Sequence, residues 1–134
     1  MKVTVDTNVL VRAAVRDDVA QADLAAKLLR EADLIAVPLT CLCEFVWVLR
    51  RLYKLDVSDI ASAVAALVNA QNVAVNRAAV DAGLAVLKAG GDFADGVIAF
   101  EGAWLGGETF VSFDRQAVAL LKGMGQATAL IGTP

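Results

Sequence analysis

Four short apolar runs punctuate a chain whose remaining pattern is helical: Val3-Thr4-Val5, Leu34-Ile35-Ala36-Val37, Val73-Ala74-Val75 and Thr109-Phe110-Val111-Ser112-Phe113. A helical stretch separates each run from the next, so successive strands cannot close as tight hairpins and have to return by crossovers. That alternation predicts an α/β fold, a three-layer α/β/α sandwich around a central, mainly parallel sheet of four to five strands. Ala127 to Ile131 is the candidate fifth, edge strand. No internal repeat, linker or low-complexity segment interrupts the 134 residues, which read as a single domain over 1–134.

The helical stretches carry their own start and stop signals. Thr7 to Val15 follows the first strand, and Asp17-Asp18 opens a second helix to about Ala32, acids at its positive end. In that helix Leu24, Leu28 and Leu29 form the expected apolar stripe. Leu39 to Tyr53 is the most apolar helix. Ser58 is the expected cap of the next, with Ile60, Val64, Leu67 and Val68 in register. Asn76 to Lys88 ends at Gly90-Gly91. Asp92 caps Phe93 to about Leu105, and Asp114 opens a last helix to Lys122.

Composition narrows the chemistry. The chain is 58% hydrophobic but only 6% aromatic, so its core is built from Ala, Val and Leu. That apolar share exceeds what a domain of this size ordinarily carries, and it predicts both surface covered by a partner or a second copy and helices packed unusually closely through Ala. A net charge of −3 lacks the basic footprint of a simple DNA-binding module. No charged leader precedes an apolar signal core, and no apolar run reaches the roughly 18–20 residues of a membrane span. A cytoplasmic protein is expected, with Cys41 and Cys43 as reduced thiols pointing away from each other. The chain has no histidine. Histidine triads, histidine acid–base nucleases and most zinc hydrolases are thereby excluded, and any chemistry has to come from carboxylates or a metal ion, or there is none.

Four carboxylates stand out. Asp6 follows the first strand, and Asp114 repeats the pattern after the fourth. Each reads equally as an N-cap. Glu44 has Thr40, Cys41, Trp47 and Val48 as helical neighbours and Leu42, Phe45, Val46 and Leu49 opposite, so a buried site is expected for it. Its alternative is a salt bridge to Arg51 or Arg12. Asp95, three residues after the cap Asp92, faces Ile98 and Ala99 and is expected towards the core; its alternative is a plain helix-dipole contact. In a parallel sheet the ends of these elements share one edge, where open α/β sheets place their ligands. An acidic pocket there makes sense around hard cations, Mg²⁺ or Mn²⁺, for which phosphate is a natural further ligand. The chemistry expected is metal-assisted attack of water on a phosphodiester.

Val5-Asp6-Thr7-Asn8-Val9-Leu10-Val11, Cys43-Glu44-Phe45-Val46-Trp47-Val48-Leu49, Asp92-Phe93-Ala94-Asp95-Gly96 and Ser112-Phe113-Asp114-Arg115 resemble, in order and over the whole chain, the motifs of PIN-domain proteins. They are most similar to the VapC-type toxin ribonucleases of toxin–antitoxin pairs. The resemblance implies a Mg²⁺-dependent endoribonuclease, with Mn²⁺ able to substitute, that leaves 5′-phosphate and 3′-hydroxyl ends. It implies catalytic and metal-binding roles for Asp6, Glu44, Asp95 and Asp114, the first and third as the direct ligands expected first. Thr7, Asn8 and Ser112 match the family's polar supports, and Ser112 is expected to bond the Asp114 carboxylate. Gly96 stands where the family often has Ala. Arg115 and Arg12 are the candidate RNA contacts, each also readable as an ordinary solvated charge. The expected partners are RNA, a VapB-like antitoxin and a second copy in a homodimer or higher oligomer.

Two rivals are weaker. A haloacid-dehalogenase-like phosphatase also places Asp after its first strand, but wants a second acid two residues on, where this chain has Asn8. A non-enzymatic interaction module would have no use for four intact acids.

Overall fold

The computed structural model describes residues 1–132, which contain seven helices and five strands. The chain forms two compact units, the first comprising Met1–Arg77 and the second starting at Ala78.

In the first unit the order is β1 (Lys2–Thr4), α1 (Thr7–Val15), α2 (Val19–Glu31), β2 (Leu34–Ala36), α3 (Leu39–Arg51), α4 (Val57–Asn69) and β3 (Val73–Ala74). The three strands form one parallel ladder in sequence order, with Val3 opposite Ile35 and Ile35 opposite Val73. Backbone pairing runs one residue beyond the strands, as Val5 N–H donates to the Ala36 carbonyl at 3.3 Å and Val37 N–H to the Ala74 carbonyl at 3.0 Å. Asp6 and the start of α3 therefore leave the ladder at the same edge. Ile35, Leu42, Leu49, Ile60 and Val64 are fully buried.

α2 differs from its sequence reading. It buries Ala22 and Ala25, whereas Leu24 is 68% exposed. Small side chains let α1 and α2 pack closely, and that leaves the expected leucine stripe only partly covered. The turn between the two helices is held by Asp17, which accepts from Arg12 at 3.1 Å and from the Tyr53 hydroxyl at 2.9 Å; Asp18 alone caps α2 through Gln21 N–H. Ser58 is not the cap of α4 either. It lies inside the first turn, after Asp56 at the N-cap position, and neither cap bond is made by a side chain.

The second unit contains α5 (Arg77–Lys88, starting one residue before it), α6 (Phe93–Trp104), β4 (Phe110–Ser112), α7 (Arg115–Gly123) and β5 (Thr128–Leu130). β4 and β5 are parallel, with Val111 opposite Ala129. Val86, Ala99 and Leu121 form its buried cluster, with Phe110 and Leu120 packed against it. The Phe93 ring is fully buried over Gly83, where an added Cβ would come within 2.7 Å of it. All five strands pair in parallel, as expected, but in ladders of three and two instead of one ladder of four to five. Strands of two or three residues carry few ladder bonds each. Among the described residues no helix is long and apolar enough to cross a membrane.

Candidate functional site

In the first unit Asp6 sits just past β1 in extended conformation, and its Oδ1 accepts from Asn8 N–H at 3.1 Å and Val9 N–H at 3.4 Å. It is thus the N-cap of α1, with Oδ2 left for another partner. Asn8 enters that cap through its backbone and its side chain is exposed. Thr7 points the other way, inward: it is the polar residue buried among the described ones, and its hydroxyl donates to Cys41 Sγ at 3.7 Å. Cys41 lies one turn before Glu44 on α3, so the two share a helix face. Burial raises the Cys41 thiol above its usual pKa of 9.0; the Thr7 hydrogen bond works the other way, and the Asp6 and Glu44 charges add to the rise.

Glu44 is exposed, contrary to the burial its apolar neighbours predict. Trp47, one turn on, is itself 51% exposed, so the face turns outward on that side of Glu44, while Cys41, one turn back, is buried. Among the described residues no salt bridge reaches Glu44, and Arg12 is taken by Asp17.

In the second unit Asp114 repeats the geometry of Asp6. Its Oδ1 accepts from Gln116 N–H at 2.9 Å and Ala117 N–H at 3.2 Å, capping α7. Ser112 supports this turn through the backbone: its Oγ accepts from the Asp114 N–H at 3.0 Å, in place of the carboxylate bond expected. Gln116 also donates to the Gly90 carbonyl at 3.0 Å, which ties the first turn of α7 to the end of α5. Arg115 is exposed beside Asp114.

Asp95 is half-buried in the first turn of α6. Its carboxyl is pushed above the usual 3.8, first by burial, then by the charges of Asp92 and Asp114. Asp92 occupies the cap position without a side-chain cap bond, so its carboxylate adds repulsion in place of the expected capping. Beside Asp95, Gly96 allows α6 to touch α5 directly: a Cβ there would lie 2.3 Å from the Ala82 carbonyl oxygen.

Among the described residues no three His, Cys, Asp or Glu side chains are grouped to hold a metal ion by themselves. Mg²⁺ does not require such a cage. It keeps several waters and is commonly held by one or two carboxylates together with substrate phosphate. The donors available here are carboxylate oxygens without imidazole, and a cation near Asp95 would relieve the repulsion it feels from Asp92 and Asp114. The residues fit a hard divalent cation.

Composition marks Cys41 only as a reduced thiol, although its position three residues before Glu44 puts it on that face. For the contact beneath Gly96 the available signal is a glycine inside an otherwise regular helix. The family model of the PIN domain matches residues 3–120, which include Asp6, Glu44, Asp95 and Asp114. No curated protein matches the chain. The match runs through both units and most of the sequence: the chain belongs to the PIN domain family.

Proposed function

We propose that this protein is a Mg²⁺-dependent endoribonuclease, the toxin component of a VapBC-like toxin–antitoxin pair. PIN domains are typically nucleases, and such nucleases bind RNA and generally use divalent metal ions. The observation that supports a metal-dependent site is Asp95, a carboxylate half-buried in the first turn of α6, with burial and the charges of Asp92 and Asp114 raising its pKa. An acid held in that setting is poorly explained by helix capping, which Asp95 does not perform.

In this reading Asp6, Glu44, Asp95 and Asp114 are the catalytic carboxylates and hold the cation, Asp6 and Asp95 as direct ligands. When bound there, Mg²⁺ or Mn²⁺ would supply Lewis acidity to activate water and to stabilise charge on the phosphate. The chain's own part is to hold the oxygens still. The caps at Asp6 and Asp114 fix one carboxylate oxygen each, and Ser112 braces the second of these turns. Arg115, exposed next to Asp114, and Arg12 are the proposed contacts to the RNA backbone, and Arg12 has to exchange its bond to Asp17 to make one.

A VapB-like antitoxin and a second copy of the chain are the proposed protein partners. Exposed Leu24, Trp104, Leu105 and Phe113 offer apolar surface for such contacts. Cys41 and Cys43, which form no disulfide, suit the reducing cytoplasm.

The test is RNA cleavage by the purified chain and by Asp6→Ala, each with Mg²⁺, with Mn²⁺ and with a chelator. Metal-dependent cleavage by the natural sequence, lost in the variant, supports the reading. No cleavage of any RNA, or equal cleavage by both proteins, refutes it. The toxin role is tested by inducing expression: growth arrest is expected, with relief when a small neighbouring reading frame is co-expressed.

A further inference from the structure

Among the described residues of the first unit, one buried side-chain hydrogen bond links distant parts of the sequence beside two of the proposed carboxylates. Thr7, at the first position of α1, donates to Cys41 Sγ in the first turn of α3, across 34 residues of chain. Thr7 is adjacent to Asp6, and Cys41 precedes Glu44 by one helical turn. We infer that Cys41 is a positioning residue for the metal site: through Thr7 it locks the turn carrying Asp6 to the helix carrying Glu44.

The inference rests on the proposed metal-dependent reading. Its basis is independent of the motifs that suggested that reading. Both partners are buried, Cys41 at 8% and Thr7 at 9% exposure. A buried hydroxyl without an acceptor is unfavourable, so the bond gives α1 and α3 a preferred register where apolar packing alone would tolerate sliding. The charges of Asp6 and Glu44 are both felt at the Cys41 sulfur, which places the thiol within electrostatic reach of each. Raised in pKa and facing a donor, the sulfur remains a neutral thiol and accepts rather than coordinates. It is no ligand itself: hard cations prefer oxygen.

Outer partners that orient metal ligands commonly alter metal affinity when removed. A single neutral hydrogen bond is worth about 1 kcal/mol, which corresponds to about a fivefold change in an equilibrium. Four variants separate positioning from mere packing. Cys41→Ala and Thr7→Val remove the bond, while Cys41→Ser and Thr7→Ser keep an acceptor and a donor. Mn²⁺ affinity is measured by electron paramagnetic resonance well below the melting temperature, and RNA cleavage is split into kcat and KM.

Cys41→Ala and Thr7→Val are expected to weaken Mn²⁺ binding by about fivefold and to lower kcat more than KM. The double variant should weaken it no further than either single one, since both remove one bond. Cys41→Ser and Thr7→Ser should bind Mn²⁺ as the natural sequence does. Unchanged affinity in Cys41→Ala and Thr7→Val, or equal losses in all four variants at unaltered folding, overturns the inference while leaving the nuclease reading intact. Failure of the natural sequence to bind Mn²⁺ overturns both.

Discussion

No side chain separates Gly96 from Ala82: a Cβ on Gly96 would lie 2.3 Å from the Ala82 carbonyl oxygen and 2.8 Å from the Gly83 Cα. The obstacle is backbone, so no rotamer change relieves it. α5 and α6 have to separate or slide if that position acquires a methyl group.

Gly96→Ala is therefore expected to destabilise the protein by about 1–3 kcal/mol from overpacking, less up to about 1 kcal/mol of helix propensity gained. Thermal melting reads the balance, and the clash should win. Because α6 carries Asp95 next door, metal-dependent cleavage should fall as well. A Gly96→Ala protein as stable and active as the natural one would show that the helices relax at no cost.

Much of this architecture is legible in the residues. The start of α1 at Thr7, the break at Pro38 before α3, and the strand–acid–helix turns at Asp6 and Asp114 are written in local chemistry, and they appear where that chemistry puts them. What escaped depends on packing between elements. Ala22 and Ala25 were outranked on hydrophobicity by Leu24, yet close helix approach favours the smaller side chains. The burial expected for Glu44 follows from apolar residues on both sides of its helix, and a helix wheel does not reveal which apolar face the fold covers. The Gly96–Ala82 contact and the Thr7–Cys41 bond join residues distant in sequence or on different helices, so a local pattern can single out Gly96 or Cys41 but cannot name the partner.

Asp95 ties stability to pH in a definite direction. Its carboxyl pKa is raised in the folded state, so between the unfolded value of 3.8 and the raised one the native protein binds more protons than the unfolded chain. This group's contribution therefore weakens stability as pH rises through that window, and the penalty persists at neutral pH. Asp95→Asn should leave the metal-free protein as stable as before or more so at pH 7, with the difference vanishing in acid. A lower melting temperature for the metal-free variant at neutral pH would indicate that the carboxylate has a structural role. Proton and cation compete for the same oxygens, so metal affinity should fall as pH drops through the same window.

The caps at Asp6 and Asp114 separate two roles by choice of substitution. Asp114→Ala removes the bonds to Gln116 and Ala117 N–H and should cost about 1 kcal/mol, whereas Asp114→Asn retains a capping oxygen and should cost far less. Both should lose metal-dependent activity. Melting curves and cleavage rates for the pair check this, and an active Asp114→Asn protein would confine Asp114 to capping.

Tyr53 is the only tyrosine in the chain, so its ionisation is read directly at 295 nm. Its hydrogen bond to Asp17 raises the phenol above the usual 10.0, with the Asp17 charge adding to the effect. Asp17→Asn is expected to move the titration midpoint down towards 10.0 and to free Arg12 from the turn. No movement would mean that the α1–α2 turn is not clamped at Asp17 in solution.

The central claim is that Asp95 serves a metal and not the fold. Cleavage of single-stranded RNA by the natural sequence and by Asp95→Asn, at saturating Mg²⁺ and at pH 7, tests it most directly. A loss of about a hundredfold or more is expected in the variant at an unchanged or higher melting temperature, since removing a ligand should exceed the loss seen for outer partners. Equal cleavage by the two proteins, or cleavage by the natural sequence that persists in excess chelator, would contradict it.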